Sequence, residues 1–149
     1  MPTKSTDRKN RVAVQFAVPR RGLPSPAALR TWARDASGVT LRIVGEGEGR
    51  RLNAAFRKKN KPTNVLSFAY GCGSGDVVLC HPVIAREARA QGKTLAAHYA
   101  HLVVHGILHL RGYDHEKKRD ALRMERREVR ILRRLGFPDP YEVKSPPSR

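Results

Sequence analysis

The sequence predicts an α+β domain in which a four-stranded mixed sheet packs against helices. Two observations predict it: apolar residues recur at every second position in short segments of the first half, and at helical spacing over longer segments of the second half. At 149 residues the chain has the length of about one domain. We therefore expect a single domain over residues 11–141, with flexible tails at residues 1–10 and 142–149.

The chain begins with a strand, a helix and a second strand. Residues 11–18, RVAVQFAV, place apolar side chains at every second position, which is typical of a strand with one buried face. Ser25 can cap a helix that begins at Pro26, and residues 38–44, GVTLRIV, alternate again. This order predicts a crossover between parallel neighbours.

The next segment predicts a short surface helix. In residues 49–60, GRRLNAAFRKKN, the apolar side chains of Leu52, Ala55 and Phe56 form one stripe at helical spacing. The remaining side chains are mostly basic. We therefore expect the stripe to face the protein and the basic residues to face solvent.

A hairpin and two helices follow. Residues 63–70, TNVLSFAY, and 76–80, DVVLC, are rich in β-formers, and the glycines of GCGSG between them predict an antiparallel hairpin. Residues 82–92, PVIAREARAQG, predict a helix that ends at a glycine. Thr94 can cap the next helix, from Leu95 to about Arg111, which is apolar nearly all round and should be buried against the sheet.

The last predicted helix runs from about Glu116 to Leu135. It is rich in charged side chains, which is most often the sign of a solvated face. Its expected inward residues are Met124, Val129, Leu132 and Leu135.

The charge of the chain indicates a polyanionic partner. Thirty Lys and Arg stand against 13 Asp and Glu, a formal net charge of +17. A surplus of this size attracts polyanions, with nucleic acid as the first candidate. An anionic membrane would require a basic helix with bulky apolar residues on its other face or a lipid signal, and neither is clear.

The start of the chain and its cysteines indicate the compartment. MPTKSTDRKN is polar and is not followed by an apolar run as long as a signal peptide or a membrane span. Cys72 and Cys80 form no C-x-x-C pair, so we expect reduced, packed thiols. The expected location is the cytoplasm, with no membrane partner.

Three of the six histidines lie within HGILHLRGYDH, residues 105–115. His105 and His109 are four positions apart in a helical segment, so they share one face with about 5–6 Å between Cβ atoms. Gly112 suits a left-handed residue that ends the helix and lets the chain bring His115 back. In a buried helix each imidazole needs hydrogen-bond partners, and one shared metal ion meets that need.

We therefore predict one Zn²⁺ per chain, bound by His105, His109 and His115 in a zincin-like site at the end of a buried helix. Three protein ligands leave one position of a zinc tetrahedron open, as in catalytic sites, and a water held there can have a pKa of about 7. Asp114 is expected to hold a histidine N–H or to cap a helix rather than to bind the metal.

The spacing also argues against a peptidase. The zinc peptidase motif H-E-x-x-H carries a glutamate base, and this sequence has Gly106 in its place. The other histidines, His81, His98 and His101, are interpreted as packing or hydrogen-bonding residues.

With these residues in view, the chain resembles the YbeY family of bacterial endoribonucleases. HGILHLRGYDH is similar to the family's signature, and LNAAFRKKNKPTNVLSF, residues 52–68, is similar to its second hallmark. Shorter matches are GDVVLC, Gly92-Lys93, HYAHLVVHG and LGFPDPY. The likeness runs from about Val12 to Tyr141.

The resemblance implies a metal-dependent endoribonuclease directed at single-stranded RNA. Its implied role is ribosomal RNA maturation, chiefly at the 3′ end of 16S RNA, together with ribosome quality control. The implied partners are ribosomal RNA and the small subunit, a small-subunit ribosomal protein and an assembly GTPase. His105, His109 and His115 match the family's metal ligands, and Arg57, in FRKKNKPT, matches its functionally required arginine.

The residues alone leave open which basic side chain near this motif contacts the reacting phosphate. The chemistry of Arg57 fits the role that the resemblance implies, because a planar guanidinium can grip a phosphate in two places and stabilise developing charge. The neighbouring basic residues are interpreted as RNA-binding: Arg50, Arg51, Lys58, Lys59 and Lys61.

The sequence departs from the family pattern in two respects. The loop AYGCGSG after NVLSF is shorter than the family's loop and lacks the proline that commonly follows the phenylalanine. The chain is also more basic than many members. The first difference concerns the shape of the loop beside the site, and the second is consistent with tighter non-specific RNA binding.

Alternatives remain open at this stage. The metal could activate a water or polarise a phosphoryl oxygen, and with no obvious carboxylate base the RNA 2′-hydroxyl could be the nucleophile. A rival from another class is a non-catalytic ribosome assembly factor that binds RNA and uses zinc to clamp the helix end.

Overall fold

The computed structural model describes residues 12–34, 36–57 and 63–142. The expected N-terminal tail, and all of the expected C-terminal tail but Glu142, lie outside these ranges. So do three of the predicted RNA-binding residues, Lys58, Lys59 and Lys61.

Four strands form one mixed sheet. They are β1 (Val12–Phe16), β2 (Val39–Val44), β3 (Val65–Gly71) and β4 (Ser74–Cys80), in the order β1-β2-β4-β3. The strand β2 is parallel to both β1 and β4, whereas β3 is antiparallel to β4. The mixed sheet, the parallel crossover and the hairpin are thus confirmed, and the short loop is a tight turn between β3 and β4.

Five helices complete the described fold: α1 (Pro26–Trp32), α2 (Glu46–Arg57), α3 (His81–Ala90), α4 (Leu95–Leu110) and α5 (Lys118–Arg134). The predicted caps are confirmed, since the Ser25 hydroxyl accepts from the N–H of Ala28 and the Thr94 hydroxyl from that of Ala97. None of the described helices is long and apolar enough to cross a bilayer.

Both faces of the sheet are covered, which explains why residues 77–80, the last four of the central strand β4, are apolar and buried on both sides. On one face Leu41 and Val77 belong to the main core with α1 and α4, and α5 packs against α4. On the other face Val44 and Val78 form a smaller cluster with Leu52 of α2. The helix α4 is therefore sandwiched between the sheet and α5.

Three expectations about side chains are wrong. Of the three predicted stripe residues of α2, only Leu52 packs against the protein, whereas Ala55 is exposed and Phe56 is 62% exposed and packs edge-on against Phe68. The more deeply buried residue is the neighbouring Asn53. In α5, Val129 is only half-buried and lies outside both core clusters. Of the two free thiols, Cys80 is buried but Cys72 is exposed in the hairpin turn. The misplaced residues of α2 and α5 lie at the sides of their apolar stripes, where the helical repeat does not define the boundary of the core, and Cys72 lies in a turn that projects from the sheet.

A glycine allows α4 to lie close to the sheet. A Cβ atom on Gly106 would lie 2.6 Å from Cγ1 of Val77, a buried residue of the central strand β4. That separation is shorter than any normal contact, so Gly106 is required by packing. The glutamate of the peptidase motif could not occupy this position without displacing α4.

We expect Gly106→Ala to destabilise the fold. Overpacking of a core typically lowers the free energy of unfolding by about 1–3 kcal/mol, and the better helix propensity of alanine offsets up to about 1 kcal/mol. Gly47→Ala is the matched control, because Gly47 is exposed in α2 and a Cβ there would meet only the end of Arg51, at 3.5 Å. Denaturant unfolding that showed Gly106→Ala to be as stable as wild type would contradict this packing.

Candidate metal centre

The end of α4 brings the three predicted ligands together. His105 and His109 lie one turn apart, and the helix ends at Leu110. Gly112 then adopts a φ of +96°, and the N–H of the next residue, Tyr113, donates to the carbonyl of Leu108. This left-handed termination reverses the chain, as predicted, and returns His115 to the pair.

The geometry of the donor atoms fits a metal ion. Nε2 of His109 lies 3.2 Å from Nε2 of His105 and 3.0 Å from Nδ1 of His115. Donor atoms of the three residues all lie within 4.8 Å of one another. Nitrogen ligands about 2.0–2.1 Å from a tetrahedral zinc are about 3.3 Å apart, so small adjustments suffice to place all three around one ion.

His109 is in the protonation state that metal binding requires. Burial, followed by the nearby charges of His105 and His115, lowers the pKa of His109 to about 4. The ring is therefore neutral at pH 7. It also forms a hydrogen bond with the backbone of Tyr113, which fixes its orientation.

A carboxylate that sequence reasoning missed supports the cluster. Glu128 of α5 is wholly buried. Its Oε2 accepts a hydrogen bond from Nδ1 of His105 at 2.5 Å, and its Oε1 accepts from Nε2 of His101 at 2.9 Å and from the hydroxyl of Tyr141. Since Nδ1 of His105 donates to Glu128, Nε2 of the same ring is left to face the cluster.

The electrostatics of Glu128 confirm that it is ionised. Burial alone raises the pKa of a carboxyl group, but the hydrogen bonds from His101 and His105, the charge of His105 and the hydrogen bond from Tyr141 together lower the pKa of Glu128 to about 2. The sequence did indicate that Glu128 is buried, because it lies four residues from Met124 and from Leu132. A charged residue in the middle of an inward apolar row is unusual, and the many charges of α5 obscured it.

A second group of potential donors, His101, His105 and Glu128, also lies within 4.8 Å. In this group the donors are already paired with one another by hydrogen bonds. The other two histidines are paired as well: His98 with Glu87 at 2.8 Å, and His81 with Tyr99 at 2.8 Å. The interpretation of His81, His98 and His101 as hydrogen-bonding residues is thus confirmed.

An open cleft of about 540 Å³ lies beside the three histidines. Its walls are residues of the β3 side, including Thr63, Asn64 and Ser67, and residues of the loop after α4. In that loop, Oδ1 of Asp114 accepts from the backbone N–H groups of His115 and Glu116. Asp114 therefore shapes the turn that carries His115, and its predicted role behind the metal stays a prediction.

The predicted RNA-binding residues are only partly placed. Arg57 is the last residue of α2. Arg51 is exposed on the same helix, and Arg50 pairs with Glu46 at 3.4 Å. The structure thus places the start of the basic segment, Arg50 and Arg51, on α2, whereas the side chain of Arg57 lies outside the described part.

Together these features define a class of protein: an α+β domain with a candidate three-histidine metal centre, set where a buried helix ends beside an open cleft. A family model described as Endoribonuclease YbeY matches residues 25–136. The chain belongs to this family, as the resemblance indicated.

Relatives that carry the name of this family are similar to the chain over most of its length. A protein of Burkholderia cenocepacia is 53% identical, with the match covering 83% of this chain and 77% of the relative. A protein of Thiobacillus denitrificans is 51% identical, and the match covers 88% of this chain and 95% of the relative. A protein of Nitrosomonas eutropha is 48% identical, and the match covers 89% of this chain and 99% of the relative. All three are named Endoribonuclease YbeY.

A solved structure is similar in fold. The solution structure of a protein from Thermotoga maritima superimposes with a TM-score of 0.50 at 24% sequence identity. The match covers 88% of this chain and 99% of that protein. This likeness concerns the fold alone.

Proposed function

We propose that this protein is a metal-dependent endoribonuclease that cuts single-stranded RNA, with one Zn²⁺ bound by His105, His109 and His115. The observation that carries the proposal is the convergence of three imidazole nitrogens on one point in the wall of an open cleft. Membership of a family whose named relatives are endoribonucleases supplies the substrate.

The donor set favours zinc. Imidazole nitrogen is an ordinary zinc ligand, and three protein ligands leave a coordination position free for a substrate or water. When bound, the ion supplies Lewis acidity to the cleft. The protein contributes the neutral ring of His109, the orientation of His105 and the turn that holds His115.

The basic segment is proposed to hold the RNA. Arg57 would contact the scissile phosphate, and Arg50, Arg51, Lys58, Lys59 and Lys61 its neighbours. Six residues of chain span at most about 22 Å, so Arg57 lies within that reach of Thr63 in the cleft wall. To stabilise charge that develops on a phosphate, the guanidinium of Arg57 would have to come within hydrogen-bond distance of it.

Product ends distinguish two routes of cleavage. The carboxylates among the described cleft residues are Asp114 and Glu116, and Asp114 already accepts two backbone hydrogen bonds. A 2′,3′-cyclic phosphate would identify the RNA 2′-hydroxyl as the nucleophile, whereas a 5′-phosphate paired with a 3′-hydroxyl would identify water, because attack by the 2′-hydroxyl always leaves the phosphate on the 3′ side.

The cellular role is proposed from the family. It consists of processing the 3′ end of 16S ribosomal RNA and of ribosome quality control, in the cytoplasm. The proposed partners are the small subunit with its RNA, a small-subunit ribosomal protein and an assembly GTPase.

The test combines elemental analysis and RNA cleavage on one sample of purified protein. We expect about one zinc per chain and endonucleolytic cleavage of an unstructured RNA that a chelator stops and added zinc restores. Protein that contains zinc but never cuts RNA would contradict the endoribonuclease and favour an RNA-binding assembly factor. Cleavage that survives chelation would contradict the metal's role.

A further inference from the structure

The outer face of α5 is uniformly basic. At about 100° per residue, six arginines lie within an arc of about 100° on the side opposite the buried Glu128. They extend about 22 Å along the helix axis, and all are exposed. This arginine face consists of Arg119, Arg123, Arg126, Arg130, Arg133 and Arg134.

The arginine face is not neutralised within the described parts of the chain. None of its guanidinium groups forms an ion pair there, whereas Arg42 and Arg50 pair with glutamates of α2. The acidic residues of α5 lie off the face, Glu128 in the core and Asp120 and Glu125 on the flanks. Like charges three and four positions apart destabilise a helix, so the folded protein carries a repulsion that a polyanion would relieve.

One end of the face adjoins the metal centre. The guanidinium of Arg123 lies over the ring of Tyr113, 5.7 Å from its centroid. Arg123 also lines a small pocket together with Asp114. Tyr113 and Asp114 immediately precede His115, so the face begins beside the loop that carries this histidine and runs away from it.

We propose that the arginine face binds the sugar-phosphate backbone of single-stranded RNA outside the cleft. The inference rests on the proposed function for the choice of RNA as the polyanion. From Arg119 to Arg133 successive arginines are about 4.5–6 Å apart along the axis, and each guanidinium can grip a phosphate in two places. A membrane fits less well, because the apolar side of α5, with Met124 and Leu132, is buried in the protein and cannot insert.

The test compares two triple variants with the same change in net charge. In the first, Arg126, Arg130 and Arg133 become glutamine, which has similar helix propensity. In the control, three exposed arginines outside α5 become glutamine: Arg21, Arg34 and Arg89. Binding of labelled single-stranded RNA of about 30 and about 6 nucleotides is measured by fluorescence anisotropy, and folding by circular dichroism.

The slope of log K against log salt is negative, and the loss of three phosphate contacts makes it shallower by about 2. From about 50 to about 200 mM NaCl, wild type and the control should therefore lose about 20-fold more affinity for the long RNA than the α5 variant. Affinity for the short RNA, which the cleft can hold alone, should change little. Replacing the same three arginines by lysine should restore most of the salt dependence.

An equal loss of slope in the control variant would overturn the inference, because only net charge would then matter. Weaker binding of the α5 variant to phosphatidylserine vesicles, with RNA binding unchanged, would overturn it in favour of a membrane. Binding does not require cleavage. If wild type fails to cut RNA but the α5 variant alone loses salt dependence, the proposed function fails while the arginine face stands.

Discussion

Replacing His109 by alanine is expected to lower zinc affinity by more than about 100-fold and to abolish RNA cleavage while the fold survives. Loss of a hydrogen-bond partner behind a metal ligand already costs about 10–100-fold in affinity, and His109 is a predicted ligand itself. Its Nε2 lies between the donor atoms of His105 and His115. Alanine favours the helix, and the half-buried ring of His109 lines the open cleft, so its removal leaves no closed cavity in the core.

The measurement is a competition titration of metal-free protein with a zinc chelator, followed by the cleavage assay. His81→Ala is the control, since His81 is a half-buried histidine that bonds to Tyr99 away from the cluster. Unchanged zinc affinity in His109→Ala would remove His109 from the site. Loss of cleavage in both variants would show that the effect is structural.

Replacing Glu128 by glutamine is expected to weaken zinc binding by about 10–100-fold without changing its stoichiometry. The carboxylate accepts hydrogen bonds from His105, His101 and Tyr141, and glutamine has only one oxygen to accept them. Its amide group would face at least one of these donors in a wholly buried position, which leaves that donor unsatisfied. His105 would then lose the partner that directs its Nε2 to the cluster.

Glu125→Gln is the matched control, because it makes the same change in charge on the same helix at a residue outside the core. Tyr141→Phe removes a single hydrogen bond to Glu128 and should have a smaller effect than Glu128→Gln. If Glu128→Gln binds zinc as tightly as wild type, the carboxylate stabilises only the packing of α5 on α4.

Most of the fold could be predicted from the sequence because its signals are local. Alternating residues determine β1 and β2, and the capping hydroxyls of Ser25 and Thr94 are confirmed where they were predicted. The start of α2 at Glu46 and the exposure of Phe56 were not predictable. They depend on the packing of α2 against the second face of the sheet, which the helical repeat of α2 alone does not record.

The candidate site was predictable to the extent that its residues are close in sequence. The spacing of His105 and His109 and the left-handed Gly112 place three rings together, and the structure shows that contact. The role of Glu128 and the close packing at Gly106 were not predicted, because each depends on a partner far along the chain. Glu128, the partner of His105, is 23 residues away in sequence. Val77, the neighbour of Gly106, belongs to the strand β4, which precedes α4 in the chain.

The most direct test of the account is zinc K-edge X-ray absorption of the protein loaded with one equivalent of zinc. A shared ion predicts three imidazole nitrogens at about 2.0–2.1 Å and one further oxygen or nitrogen ligand that is not an imidazole. The imidazole signal should be smaller in His109→Ala. A spectrum with fewer than two imidazole ligands, or one dominated by sulfur, would contradict the claim that His105, His109 and His115 hold a single metal.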